Sequence, residues 1–184
     1  MISAASRHIL LEIARASIIE GIQNQRPLSP DPKNYAADLQ AHLATFVTLN
    51  LNQQLRGCIG TLEAHQPLVK DVAHNAYSAA FRDTRFPPLT ESELSALEIH
   101  ISILSPAEPV QFSDEIDLVQ QLRPGIDGLI LTDGHHKGTF LPAVWESLPD
   151  PVEFLTHLKM KAGLAANHWG PTVVIERYTV ESIP

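Results

Sequence analysis

Residues 44–60 read Ala44-Thr45-Phe46-Val47-Thr48-Leu49-Asn50-Leu51, then Asn52-Gln53-Gln54, then Leu55-Arg56-Gly57-Cys58-Ile59-Gly60. The first eight are rich in β-branched and apolar residues and predict a strand. The polar triplet is a break, and the last six predict a second strand, so the stretch reads as a β-hairpin. Side chains alternate across a strand, which assigns Arg56, Cys58, Gly60 and Leu62 to one face and Leu55, Gly57, Ile59 and Thr61 to the other. Glycine inside a strand gives up packing and marks a bulge or a close approach. Gly57 and Gly60 therefore suggest a thinned backbone that a ligand or partner can reach, beside Cys58, the only cysteine in the chain.

Upstream of the hairpin, residues 3–20 carry apolar residues at helical spacing, with Ser3 or Ser6 as cap and Gly21 as the expected stop. Three prolines make residues 26–32 a loop, and a short turn or helix follows near residues 34–43. Downstream, Pro67 opens a helix to about Phe81 whose Leu68, Val72, Ala76 and Ala79 or Ala80 line one face. Thr90 and Glu93 have capping-box spacing for a short helix. Leu97-Glu98-Ile99-His100-Ile101-Ser102-Ile103 alternates cleanly as a strand. Ser113 is placed to cap a helix through Leu122. A second hairpin is expected from Ile126 to Leu141, turning at Asp133-Gly134 with His135-His136 beside the turn. Asp150-Pro151-Val152-Glu153 starts a helix to about Ala162 that Gly163 stops. Thr172 to Val180 reads as one final strand. Two hairpins without regular βαβ alternation predict an α+β fold with mainly antiparallel pairing, as one domain that can divide into two lobes.

The chain has 184 residues, 44% of them hydrophobic and 18% charged, the composition of a soluble globular protein. Its net charge of −8 argues against a general nucleic-acid binder. A single cysteine excludes an intramolecular disulfide and fits a reducing compartment, so a cytoplasmic location is expected. The first 21 residues carry Arg7, Glu12, Arg15 and Glu20, which is not a signal-peptide core, and no window is apolar enough to span a membrane. There is no HExxH, paired-cysteine, Walker-type, GxGxxG or GxSxG pattern, so neither a metal nor a cofactor is predicted.

Two segments carry candidate chemistry. Cys58 is a small hydrophobe or a functional thiol, and Arg56 nearby favours the thiolate needed by a nucleophile. His74, on the following helix, and His65, just before it, are the nearest candidate bases in sequence. In Phe81-Arg82-Asp83-Thr84-Arg85-Phe86-Pro87-Pro88-Leu89, the two arginines read either as surface charges paired with Asp83 or as a clamp for carboxylate or phosphate, joined by Arg56.

These motifs resemble a known family, the AMMECR domain family (Alport–midface hypoplasia–elliptocytosis candidate region), whose prokaryotic members are called AmmeMemoRadiSam system protein A. The resemblance rests on residues 55–60 and 80–89, on Leu97 to Pro106, on Gly128-Leu129-Ile130 and on Lys161-Ala162-Gly163-Leu164, and spans residues 6–183. It implies an α+β fold with a larger and a smaller lobe, and association with a Memo-like protein and a radical-SAM enzyme. Roles in nucleic-acid metabolism and in modification of a peptide or small molecule have both been suggested for the family. Two departures stand out. Lys159 occupies a position that is often cysteine in relatives, which removes a two-thiol mechanism within one chain. Ala143, in Leu141-Pro142-Ala143-Val144, removes an amide that relatives carry.

Three functions remain open on the sequence. In an enzyme or enzyme subunit, Cys58 is nucleophile or acid/base with His74 as candidate partner. Arg56, Arg82, Arg85 and the backbone at Gly57 and Gly60 then hold an anionic substrate. In a binding or adaptor module the same motif receives a peptide, nucleotide or partner protein, and Gly57→Val is expected to abolish binding without unfolding. Nucleic-acid binding is the third.

Overall fold

The computed structural model describes residues 2–184. The chain forms two compact units, a larger one of residues 1–104 with 181–184 and a smaller one of residues 105–180. The fold is mixed α+β, with two four-stranded sheets in which the strands of both hairpins pair antiparallel.

The larger unit begins with α1 (Ala4–Asn24), capped by Ser3, whose hydroxyl accepts the Ser6 N–H at 3.1 Å. The helix does not stop at Gly21. It continues to a C-cap at Gln25 in the left-handed region, φ 55°. Gly21 is needed for packing instead: a Cβ there would lie 2.2 Å from the Phe81 ring and 2.8 Å from Tyr77. The buried stripe includes Ser17, tolerated in the core because its hydroxyl donates to Ala73 O at 2.6 Å and accepts from Leu28 N–H at 3.0 Å. After the proline loop and the short α2 (Ala37–Gln40), β1 (Thr45–Leu51) and β2 (Gln54–Gly60) form the expected hairpin. Its turn residues, Asn52 and Gln53, both take positive φ, 51° and 64°, as two-residue hairpin turns require.

Then come α3 (Leu68–Phe81), a 3-10 turn (Glu91–Ala96), and β3 (Leu97–Leu104). β3 joins β1 in an antiparallel ladder with Thr48 opposite His100. The core lies between this sheet and the two long helices: Val47, Leu49, Ile99 and Ile101 from the strands meet Leu10, Ile18, Leu68, Val72 and Ala76. Thr45 is the polar exception. Its hydroxyl donates to the buried Asp71 at 2.6 Å, and Asn75 closes the network on the same carboxylate at 3.0 Å, tying α3 to β1.

In the smaller unit, β4 (Glu108–Pro109), β5 (Gly128–Asp133), β6 (His136–Phe140) and β7 (Val174–Tyr178) form a sheet in the order β4-β7-β5-β6. α4 (Glu115–Gln121) is capped by Asp114, not Ser113, because the longer acceptor reaches Asp117 N–H at 2.8 Å. The second hairpin turns at Gly134-His135, so His136 belongs to the strand. α5 (Pro151–Lys161) starts on its Asp150 cap and ends before Gly163, φ 84°, as the residues dictate. The core holds Trp145 stacked on Phe154 at 3.7 Å, and Lys159 is buried with its ammonium on Glu115 at 2.6 Å. The expected single strand over residues 172–180 is two. β7 ends at Tyr178, and β8 (Val180–Ile183) joins the larger unit's sheet, whose order is β2-β1-β3-β8. No glycine or proline between Val173 and Ile183 marks the change of sheet at Thr179.

Candidate functional site

The hairpin contains one irregularity on which its chemistry depends. Leu49 pairs with Gly57 but Asn50 pairs with Leu55, which leaves Arg56 as an extra, bulged residue. Cross-strand partners share a face, so Leu55 and Gly57 lie on opposite faces, contrary to unbroken alternation. Gly57 faces α3, together with the core residue Leu49. Cys58, opposite Thr48, faces away from α1 and α3 and is half-buried. Phe46, Thr48, Asn50, His100 and Ser102 share that outer face, all partly buried. Thr48 Oγ1 lies 3.3 Å from Cys58 Sγ, and His100 is the next residue across the sheet.

The glycines are consumed by the fold. A Cβ on Gly57 would meet the Ala79 carbonyl oxygen at 2.1 Å, and one on Gly60 would meet the Phe46 ring at 2.3 Å and Thr45 O at 2.4 Å. The expectation that these positions stand open to a ligand is therefore corrected: α3 and β1 already fill the space.

The second motif docks on the first. β2 is an edge strand, and Cys58 turns its N–H and C=O outward. The Asp83 carboxylate accepts the Cys58 N–H at 2.9 Å, and Arg85 Nη2 reaches the Cys58 carbonyl at 3.4 Å. Arg85 also grips Asp83 through Nε at 2.9 Å and Nη2 at 2.7 Å. The pair does for this edge what a neighbouring strand would do. The Arg85 bonds hold the Asp83 carboxyl well below the usual carboxylate range against the opposing effect of burial, and the Cys58 N–H adds to this. Asp83 in turn raises Arg85.

Arg56 is similarly committed. Its Nε and Nη2 donate to Glu93 at 2.7 and 3.3 Å, and its side chain is 11% exposed. Glu93 also closes the capping box on Thr90 N–H at 2.8 Å. The Arg56 bond, supported by Thr90, lowers the Glu93 pKa to about 2. Nη1 of Arg56 is buried without a protein partner. The Phe86 ring lies 5.9 Å from one guanidinium and 5.5 Å from the other, Arg85.

Of the three arginines, then, two are neutralised by carboxylates. Arg82 is exposed and stands over the Tyr77 ring at 5.3 Å, making no bond to Cys58. His74 is exposed on α3, on the opposite side of the sheet from Cys58, and His65 sits beside Glu63 at 3.5 Å. The structure brings neither histidine to the thiol. The residue it does bring, Thr48, escapes sequence reasoning because the bulge sets its pairing with Cys58. Asp83 and Glu93 carry a signal in hindsight: each is an acid at a fixed chain position, between two arginines and in a capping box. Among the described residues no group of three or more His, Cys, Asp or Glu side chains is arranged to hold a metal ion, and no helix is long and apolar enough to cross a membrane.

Comparison with known proteins gives the family and the fold. The chain is 34% identical over 183 residues to a protein of Thermofilum pendens, covering 91% of this chain and 84% of that one. It is 36% identical over 183 residues to a protein of Thermococcus gammatolerans, covering 94% and 86%. The crystal structure of the uncharacterized protein PH0010 from Pyrococcus horikoshii superposes with a TM-score of 0.86 at 31% identity, over 98% of this chain and 92% of that one. The family profile named AMMECR1 matches residues 11–183, and the chain belongs to the AMMECR1 family.

Proposed function

We propose that this protein is a binding subunit whose working surface is the outer face of the β2-β1-β3 sheet around Cys58, and that the two motifs build and stiffen that surface. The observation that carries this reading is the pairing of Arg56 with Glu93 and of Arg85 with Asp83. Two bidentate pairs neutralise the charge an anion clamp would need, and they rigidify the strand edge. A bulge that re-aims a strand is a frequent device beside functional sites. The proposed partners are those the family resemblance implies, a Memo-like protein and a radical-SAM enzyme, and the proposed setting is the cytoplasm. On this reading Cys58 contributes size and its backbone, and Cys58→Ala retains partner binding. Thr48→Lys, which puts a long cation in the middle of the face, abolishes it while leaving the thermal transition in place. Loss of binding in Cys58→Ala with an intact fold refutes the reading.

One observation favours a second reading, an enzyme subunit with a working thiol: Thr48 Oγ1 lies 3.3 Å from Cys58 Sγ, with His100 opposite Thr48. A hydroxyl in contact with the thiol, and an imidazole at the cross-strand position beside that hydroxyl, are groups from which a proton relay is built. This reading requires Cys58 to alkylate faster than free cysteine at neutral pH and to slow in His100→Ala. Alkylation at the free-cysteine rate, unchanged in that variant, removes it.

A further inference from the structure

A cleft of about 420 Å³ opens in the larger unit away from Cys58, between the C-terminal turns of α1 and α3 and the segment that follows α3. Ile22, Tyr77, Phe81, Pro88 and Leu89 supply apolar and aromatic walls, and Gly21 and Gln25 form one end. Its shape is fixed rather than plastic. The Tyr77 and Phe81 rings pack on each other with centroids 5.0 Å apart, both lie against the bare Cα of Gly21, and the Tyr77 hydroxyl donates to Gln25 O at 3.0 Å. Leu89 N–H is bonded to Ala80 O at 2.9 Å, which pins the outer wall to α3.

Arg82 does not line the cleft but adjoins it across Tyr77 and next to Phe81 in the chain. Its guanidinium lies 5.3 Å from the Tyr77 ring centroid, it is exposed, and among the described residues it makes no ion pair. That distinguishes it from Arg56 and Arg85, and also from Arg26, which is held by Glu20 at 2.8 Å. Asp83, the adjacent acid, is saturated by Arg85 and Cys58. An oriented, unpaired cation beside a preformed aromatic cleft selects an occupant that is apolar at one point and anionic next to it. The overall negative charge disfavours a second copy of the same chain.

We propose that this cleft receives an extended peptide segment of a partner protein, with a Phe or Leu side chain seated among Ile22, Tyr77, Phe81 and Pro88 and a flanking carboxylate on Arg82. The cleft is separate from the Cys58 face, and the two sites fail independently.

The test is isothermal titration of the whole protein with two blocked pentapeptides, Gly-Glu-Phe-Glu-Gly and Gly-Lys-Phe-Lys-Gly. The acidic peptide binds, shifts the NMR signals of Ile22, Tyr77 and Arg82, and is preferred over the basic one. Arg82→Glu weakens the acidic peptide about tenfold or more through loss of a charge-assisted bond. Ile22→Asp, on the partly exposed wall, also weakens it, whereas Cys58→Ala leaves it unchanged. Circular dichroism melts confirm that each variant is folded. Equal binding of both peptides, undiminished binding in Arg82→Glu, or no binding at millimolar peptide overturns the proposal. So does a dimer of this chain that Ile22→Asp dissolves.

Discussion

Replacing Gly57 by alanine adds one carbon at the most crowded point of the motif. The new Cβ would lie 2.1 Å from the Ala79 carbonyl oxygen and 3.0 Å from its carbon. A carbon and a carbonyl oxygen in close contact sit about 3.3 Å apart, so β2 and α3 must separate locally by roughly an ångström. The obstacle is helix backbone, which cannot rotate aside as a side-chain tip can. Overpacking of this kind costs about 1–3 kcal/mol, and loss of the glycine's unfolded-state freedom returns only ~0.4–1 kcal/mol. A net destabilisation of about 1–2 kcal/mol is expected, and more for Gly57→Val. Urea unfolding followed by far-UV circular dichroism measures it as a fall in midpoint at unchanged slope. Gly134→Ala is the control: its φ is +60° with nothing within 4 Å, so it reports backbone strain alone, about 1 kcal/mol. If Gly57→Ala unfolds within about 0.5 kcal/mol of wild type, the assignment of Gly57 to packing is wrong and its role as a ligand approach returns.

Three further outcomes follow from the same contacts. Asp83→Ala removes the acceptor of the Cys58 N–H and the partner of Arg85, and is expected to cost about 2–3 kcal/mol by urea unfolding, with faster amide exchange at Cys58. Glu93 has its folded pKa lowered from 4.5 to about 2, so its pairing with Arg56 contributes stability above pH 4.5 that is lost as the pH falls towards 2. The acid limb of the stability profile should therefore be shallower over that window in Glu93→Gln than in wild type, and coincident curves would contradict the pairing. Ser17→Val leaves the Leu28 N–H without its acceptor and should cost about 1–3 kcal/mol, read as a fall in the thermal midpoint.

Much of the fold was legible because local chemistry and tertiary structure agree. The hairpin, the Asp150 cap, the Thr90–Glu93 box and the alternating strand at residues 97–103 are each written in a few adjacent residues. The failures have a common cause, a tertiary partner that overrides a local rule. Gly21 reads as a helix stop until Phe81 is placed against it. Residues 172–180 read as one strand until two sheets compete for them.

The site turns on a single inserted residue. Without the bulge at Arg56, the register set by Leu51 and Gln54 would put Cys58 opposite Val47, on the core face. One extra residue turns the thiol outward to Thr48; Gly57 beside it carries the residue-type signal of a bulge, but not which residue is inserted. The ion pairs of the arginines were legible only in part. The pairing of the arginines with Asp83 was one of the two readings open in the sequence, since Asp83 and Arg85 are neighbours there, but Glu93 is 37 residues from Arg56 and meets it only in the folded chain.

The measurement that bears most directly on the proposed role is a calorimetric titration of a Memo-like protein into wild type, Cys58→Ala and Thr48→Lys, with each variant first shown to be folded. The account predicts that wild type and Cys58→Ala bind alike, within about threefold, and that Thr48→Lys loses at least about tenfold. A folded Cys58→Ala that no longer binds, or a Thr48→Lys that binds as wild type does, contradicts the assignment of this sheet face as the protein's working surface.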